Sequence, residues 1–559
     1  MTEWTLGDIL DAVATAVPDR TMTVCGDRKR TFAETASDTR RFANFLADRG
    51  FGLHTPREEL ANWECGQDRI ALIMRNDRYP EVLLGCLKAR VIPVNVNHHY
   101  TAAEIRDLLD YVGPRGVVYH RSFGPAVTEA LDGLGLDLDL LVVVDDGSEE
   151  PDVVGAVNLD EAIALGDPDR VIPTSPDDLL MMCTGGTTGR PKGVLWRQSD
   201  MYVAAMAGSD HASAEVLHDI ARGGGQVWFA VSPLLHAAGV WTALAGVLTG
   251  QTVVLYDDRY KFDARTVLET AEREKVFLMT MVGDAFAGPL VAELKSNSYD
   301  LTGLFVIGTG GAATNPVHKE ALLDAIPHAT IIDGYGSSET GGMGFGNSQR
   351  GSAAETFLPR PGGTVVSADR SRILEPGDSE VGWAARSSRI PLGYFNDPEA
   401  TGRTFPVIAG ERFAIPGDRA TVEEDGTIRV LGRDSLVVNT GGEKVFVEEV
   451  EDVLRSHPLV ADALVVGRPS ERWGNEVVAL VQRRSANGVD GAGLVELCRG
   501  RLAGFKVPKA VLFVTQIRRL GNGKPDYRWA ADRVVVDGDD PDLGTGDDAV
   551  QEVSREVGV

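Results

Sequence analysis

Thr184, Gly185, Gly186, Thr187, Thr188 and Gly189, followed by Arg190, Pro191 and Lys192, are the densest concentration of anion-binding chemistry in the chain. Glycines let backbone N–H groups approach an anion closely, threonine hydroxyls add donors, and the Lys192 ammonium supplies a point charge. The run is not a Walker loop, in which lysine follows the last glycine directly and a serine or threonine comes next. Here Pro191 precedes Lys192 and Gly193 follows it. In isolation such a stretch also reads as a surface turn, so its surroundings decide.

A short apolar run, Leu179 to Cys183, reads as a buried strand feeding the loop. Before it, strand-like runs at 69–74, 91–96, 116–119 and 140–144 alternate with helical patterns, which predicts parallel sheets covered by helices. After it come strands at 252–256 and 277–282, then Leu304 to Ala312 and Ile331 to Asp333. Residues 360–433 are rich in Gly, Pro and short β-type runs, the texture of an antiparallel, barrel-like subdomain. From 435 a compact α+β unit begins, and from 537 the chain is acidic and without periodicity. The expected fold is therefore α/β: a large N-terminal domain of helix-covered sheets plus a β-barrel-like subdomain (1–434), a small mobile α+β domain (435–536) and a disordered tail (537–559). Residues 50–66 interrupt the rhythm as an inserted loop.

At 559 residues the chain exceeds one ordinary core. A formal net charge of -27 argues against nucleic-acid partners and polybasic membrane anchoring. Val227 to Leu248 carries no charge over a membrane-spanning length, but Pro233, His236, Gly239 and Gly246 favour a buried strand and a tightly packed helix. Five cysteines without metal or Cys-x-x-Cys spacing, and no secretory signature at the start, suit a cytoplasmic setting. The oligomeric state is left open, a homodimer included.

The run Thr-Gly-Gly-Thr-Thr-Gly-x-Pro-Lys-Gly, with seven further segments in order along nearly the whole chain, resembles the adenylate-forming superfamily of acyl-CoA synthetases, peptide-synthetase adenylation domains and luciferases. That resemblance implies ATP and AMP binding by Thr184, Gly185, Gly186, Thr187, Thr188, Gly189 and Lys192. It makes Gly310-Gly311-Ala312 and Gly334-Tyr335-Gly336 the two walls of an adenine slot, where a ring opposite bare backbone suits a flat base. Ser338 would meet the α-phosphate and Glu339 hold Mg²⁺, since a phosphate-bound hard cation needs few protein carboxylates. Asp418 would accept both ribose hydroxyls, and Arg433 would contact ribose or phosphate. His236, with Ala238, Gly239 and Gly308, would line the acyl pocket, the small neighbours leaving room for a bulky group. Gly441, Gly442 and Glu443 would face coenzyme A, and Lys524 would draw carboxylate and α-phosphate together.

The implied activity is ATP-dependent conversion of a carboxylic acid to its acyl-adenylate and then to a coenzyme A thioester. Trp196-Arg197-Gln198, Val282 to Phe286, Gly432-Arg433-Asp434-Ser435 and Gly467 to Gly474 look most like actinobacterial synthetases for steroid and other cyclic acids. A steroid or terpenoid acid is the first expected substrate and a medium or long fatty acid the second. Ser435, where many relatives carry Asp or Lys at the hinge, keeps adenylation without thiolation as an alternative, and an oxidative, luciferase-like reaction is another.

Overall fold

The computed structural model describes residues 3–136, 138–184, 191–312, 314–351, 354, 356–433, 436–440, 443–470, 474–485, 489–520, 524–535 and 551–552, with backbone alone at Thr184, Arg433, Asn439, Glu443, Lys444, Val535, Gln551 and Glu552. Two large sheets form the N-terminal part. The eight-stranded one runs Gly393–Tyr394, Lys192–Arg197, Leu179–Thr184, Ile92–Asn95, Arg69–Ile73, Gly116–His120, Leu140–Val144, Val157–Asn158. Its pairs are parallel from Leu179–Thr184 onward. The nine-stranded sheet is parallel from Thr330–Ser337 through Val306–Gly310, Leu278–Met281, Val227–Ala230 and Thr252–Leu255 to Thr21–Cys25, with antiparallel strands added at both edges. The apolar alternation of the sequence thus becomes helix-covered parallel sheet, as expected. A shared core that includes Leu6, Phe42, Trp196 and Leu244 lies between the two.

One face of three neighbouring strands is left half open. Met279, Ile307 and Ile331 are buried in the core that holds Leu290 and Leu322, whereas Leu278, Thr280, Val306, Gly308 and Ile332, on the other face, are only partly covered. The helix Ala237–Val247 lies over Val227–Ala230 and Thr252–Leu255, and the helix Gln198–Ala205 over Gly341–Ser348, so this strip runs between two covered flanks. Among the described residues no helix is long and apolar enough to cross a membrane. The uncharged stretch 227–248 resolves into the strand Val227–Ala230, a loop, and the helix Ala237–Val247.

Residues 363–433 form an antiparallel six-stranded sheet, in keeping with their Gly- and Pro-punctuated sequence. The smaller C-terminal domain packs the helices Val447–Arg455 and Gly491–Arg499 and the helix Tyr527–Val535 against a sheet whose long hairpin is Val460–Ser470 and Gly474–Arg483. Gln551–Glu552 pair with Ala510–Val514, so this much of the segment expected to lack structure is a strand; the rest of 537–559 lies outside the described residues. The insertion at 50–66 carries a short 3₁₀ turn, Arg57–Glu59, and walls a cavity of about 190 Å³ with Arg90, Asp178 and Leu179. That cavity opens at the start of the strand Leu179–Thr184, the end away from the glycine-threonine loop.

Gly334-Tyr335-Gly336 lies on the strand Thr330–Ser337, which forms an antiparallel hairpin with Gly341–Ser348, bulged between Tyr335 and Gly336. Four of the eight residues from Gly341 to Ser348 are glycines, weak strand formers, and cross-strand pairing overrides that preference.

Candidate active site

The loop candidate sits at the tip of a hairpin. Leu179–Thr184 pairs antiparallel with Lys192–Arg197, with Thr184 opposite Lys192, so the intervening residues join two strands instead of a strand and a helix. Gly185, Gly186, Thr187, Thr188, Gly189 and the side chain of Thr184 lie outside the described residues. Lys192 closes the hairpin: its Nζ is 3.5 Å from Asp397 Oδ2 and 5.0 Å from the centroid of the Tyr394 ring.

A second hairpin, from the other large sheet, meets the first. Its turn carries Ser338 and Glu339, and the fully buried Trp196 indole donates from Nε1 to Ser338 O at 2.8 Å. Glu339 Oε1 accepts from Tyr394 OH at 2.9 Å. Tyr335 OH donates to Asp418 Oδ2 at 2.8 Å, which ties the hairpin to the antiparallel subdomain. Across that subdomain Asp418 is register partner of Arg433, whose backbone is thereby placed beside the carboxylate; its side chain lies outside the described residues. Gly310 and Gly334 are register neighbours, and a Cβ on Gly310 would stand 2.9 Å from Gly334 O. Gly311 has φ +76°, which a side chain would strain, so backbone lies bare opposite Tyr335 along this wall. Ala312 follows it and is half-buried.

His236 precedes the helix Ala237–Val247 at the end of a loop stitched between the sheets. Asn95 donates from Nδ2 to Leu235 O at 2.9 Å while its Oδ1 accepts from Cys183 N at 2.9 Å. One buried amide therefore fixes both the root of the glycine-threonine loop and the residue before His236. Asn76 does the same one step earlier, accepting from Leu234 N and donating to Tyr256 O. Burial, with the positive charge of Lys524 and then His99 nearby, depresses the His236 pKa to about 4. Every cause acts against the imidazolium, which favours the neutral ring near neutral pH. Histidine-selective NMR should place its titration midpoint near 4, and a midpoint near 6.5 would contradict this placement.

Gly239, one of the small residues expected to line an acyl pocket, packs closely on the preceding turn. It is buried, and a Cβ there would collide with Pro233 O, so its missing side chain answers the close approach of the preceding turn. Ala238 and Gly308 are half-buried and stay on the open side, Gly308 with Thr280 beside it.

Lys524, in the C-terminal domain that caps the N-terminal sheets, is near enough to His236 for its positive charge to help lower the imidazole pKa. The cap is also held at Asn315, whose Nδ2 donates to Arg455 O at 3.1 Å. Gly441, Gly442 and the side chain of Glu443 lie outside the described residues, as does Ser435. No cluster of three or more metal-ligating side chains occurs among the described residues, so a cation here would rest on Glu339 and its ligand's own oxygens.

Tyr394, Asn95 and Asn76 were not singled out from the sequence. An asparagine ending the otherwise apolar run Ile92–Asn95 is a readable signal, because a buried amide must find partners. Tyr394, some two hundred residues from Lys192, has no spacing that ties it to either hairpin.

Residues 10–382 match the AMP-binding enzyme family and 449–524 the AMP-binding enzyme C-terminal domain. The chain is 42% identical over 544 residues to the medium-chain acyl-CoA ligase Mig of Mycobacterium avium, covering 96% of this chain and 99% of that one. It is 34% identical to a 3-oxocholest-4-en-26-oate–CoA ligase of Rhodococcus rhodochrous, covering 97% and 98%. Among solved structures, an anthranilate CoA ligase in complex with anthranoyl-AMP superposes with a TM-score of 0.80 at 21% identity, covering 95% of this chain and 98% of that one. The last likeness bears on fold alone.

Proposed function

The chain belongs to the AMP-binding enzyme family, and from that membership we propose that it is an AMP-forming acid–thiol ligase that joins a hydrophobic carboxylic acid to coenzyme A. A carboxylate is a poor acyl donor, because its charge repels nucleophiles and oxide does not leave. Two half-reactions remove both obstacles. First a carboxylate oxygen attacks the α-phosphorus of ATP in line, the bond to the bridging oxygen of the β-phosphate breaks, and pyrophosphate departs from acyl-AMP. Then the thiolate of coenzyme A bonds to the acyl carbon, and AMP leaves with the electron pair of the broken C–O bond.

In this reading Thr184 to Gly189 and Lys192 cradle the phosphates, Ser338 meets the α-phosphate, and adenine lies between Gly310-Gly311-Ala312 and Gly334-Tyr335-Gly336. Asp418 and Arg433 take the ribose. Glu339 suits Mg²⁺ because it is a carboxylate at the hairpin turn already held by a donor on one oxygen. The cation would offset phosphate charge. His236, Ala238, Gly239 and Gly308 face the acyl carboxylate, and Gly441 to Glu443 serve coenzyme A after the C-terminal domain turns about the 433–436 junction. The observation that supports the proposal is the closeness of the Lys524 charge to His236: in this reading that cation from the cap offsets the repulsion between carboxylate and α-phosphate.

The half-open face of Leu278, Thr280, Val306, Gly308 and Ile332 supports a broad apolar acid. Three strands at about 4.8 Å spacing give a floor roughly 10 Å across, room for a fused-ring body as well as a chain. A steroid or terpenoid acid is the first choice and a medium or long fatty acid the second, in line with the names of the curated relatives. Five free cysteines fit a cytoplasmic enzyme.

Pyrophosphate exchange screened over fatty, aryl, steroid and terpenoid acids, with mass analysis of products with and without coenzyme A, tests all of this. Exchange with a hydrophobic acid and a coenzyme-A-dependent thioester is the expected result. Exchange without thioester would reduce the proposal to adenylation for a partner, and oxygen uptake with light would replace it by a luciferase-like reaction. No exchange with any acid would end it.

A further inference from the structure

We infer that Tyr394 is a positioning residue of the metal-nucleotide site: its hydroxyl fixes Glu339 for the divalent cation while its ring supports Lys192. The inference rests on the proposed role of Glu339 as the cation's carboxylate. Tyr394 is 6% exposed and lies on the edge strand Gly393–Tyr394, where it pairs with Val194, two residues from Lys192. Its own N–H donates to Thr401 Oγ1 at 2.9 Å, and its ring packs at 5.6 Å on Phe405. The adjoining backbone is locked as well, since Tyr111 OH accepts from Gly193 N and donates to Phe395 O. Tyr394 is therefore held by the strand Lys192–Arg197 it pairs with and by the helix Pro398–Thr404 that follows it, yet its hydroxyl reaches Glu339 on the other hairpin.

A glutamate on a turn has three side-chain torsions to settle before its carboxylate can serve a cation. The bond from Tyr394 OH commits Oε1 and aims Oε2, the oxygen left to face the metal. The Lys192 ammonium over the same ring favours electron withdrawal from the phenol and a stronger O–H donor, so cation, ring and carboxylate form one polarised chain. Second groups that orient a metal ligand in this way typically govern affinity without touching the metal.

Tyr394→Phe removes the hydroxyl and keeps the ring under Lys192 and against Phe405. The test uses the full chain with ATP and no acid, so that no turnover intervenes. Mn²⁺ binding to the ATP-bound protein is followed by electron paramagnetic resonance, and ATP affinity in EDTA by calorimetry, for the parent protein, Tyr394→Phe and Glu339→Gln. Mn²⁺ affinity is expected to fall about tenfold in Tyr394→Phe, the lower end for loss of a ligand's orienting partner, with ATP affinity in EDTA within twofold of the parent. Unchanged Mn²⁺ affinity in Tyr394→Phe beside a loss in Glu339→Gln would overturn the inference alone. Unchanged affinity in both variants would remove Glu339 from the metal, and the inference with it. An equal loss of metal-free ATP affinity would make Tyr394 a structural support of the nucleotide site and would likewise overturn it.

Discussion

Replacing Lys524 by alanine is expected to slow acyl-adenylate formation by about 10²–10³-fold, the usual cost of deleting one preorganised group that meets charge developing in a transition state. Carboxylate and triphosphate repel each other, and a cation between them lowers the barrier to their meeting more than it stabilises either alone. Lys524 stands outside the N-terminal sheets and comes from the cap, so its effect should be confined to the half-reaction in which the cap is closed. Conversion of preformed acyl-AMP to thioester is therefore expected to change by no more than a few-fold, measured by single-turnover assay against pyrophosphate exchange. A second reading is available on the same variant. Lys524 lowers the His236 pKa, so its removal must raise that value from about 4 toward the ordinary range. Equal losses in both half-reactions, or a His236 midpoint that does not move, would take Lys524 out of the cleft.

The sequence carried the parallel sheets because buried strands there are unbroken apolar runs, such as Leu140–Val144. Lys192, Glu339, Asp418 and Lys524 stand out as candidates because each sits in a short motif that resembles one family's. It did not carry Gly341–Ser348, whose glycines mask a strand made by cross-strand pairing to Thr330–Ser337. Nor did it carry the close approach of Pro233 O to Gly239, which a side chain there would block. Tyr394 is the plainest case. A tyrosine after a glycine is unremarkable until folding sets it between Lys192 and Glu339, residues separated from it by about two hundred and about fifty positions. Contacts between distant segments have no signature in local spacing.

Glu451→Ala is expected to destabilise the C-terminal domain by about 3–5 kcal/mol, the range for leaving a buried charge without its partner. Glu451 is 1% exposed, and its Oε2 accepts from Arg455 at 3.1 Å and from Tyr527 OH at 3.0 Å while Oε1 accepts from Val465 N at 2.8 Å. Burial pushes its pKa up to about 6, so near neutral pH the carboxylate is still ionised and paired. Truncation leaves Arg455 inside with the exposed Asp452 and the buried Asp462, the latter 3.7 Å away, and strips the Val465 N–H and the Tyr527 hydroxyl of their acceptor. Tyr527 begins the helix that follows Lys524, and Arg455 O is the acceptor of the Asn315 bond that ties the cap to the N-terminal sheets. Loosening this one carboxylate should therefore uncouple Lys524 from the cleft while the nucleotide residues of the N-terminal sheets stay in place. Denaturant unfolding followed by hydrogen exchange is expected to lose protection in 447–535 well before 69–310, and pyrophosphate exchange should fall with ATP affinity nearly unchanged. A shift below 1 kcal/mol, or an equal loss of protection in both regions, would mean that the pair neither holds the cap together nor holds it to the site.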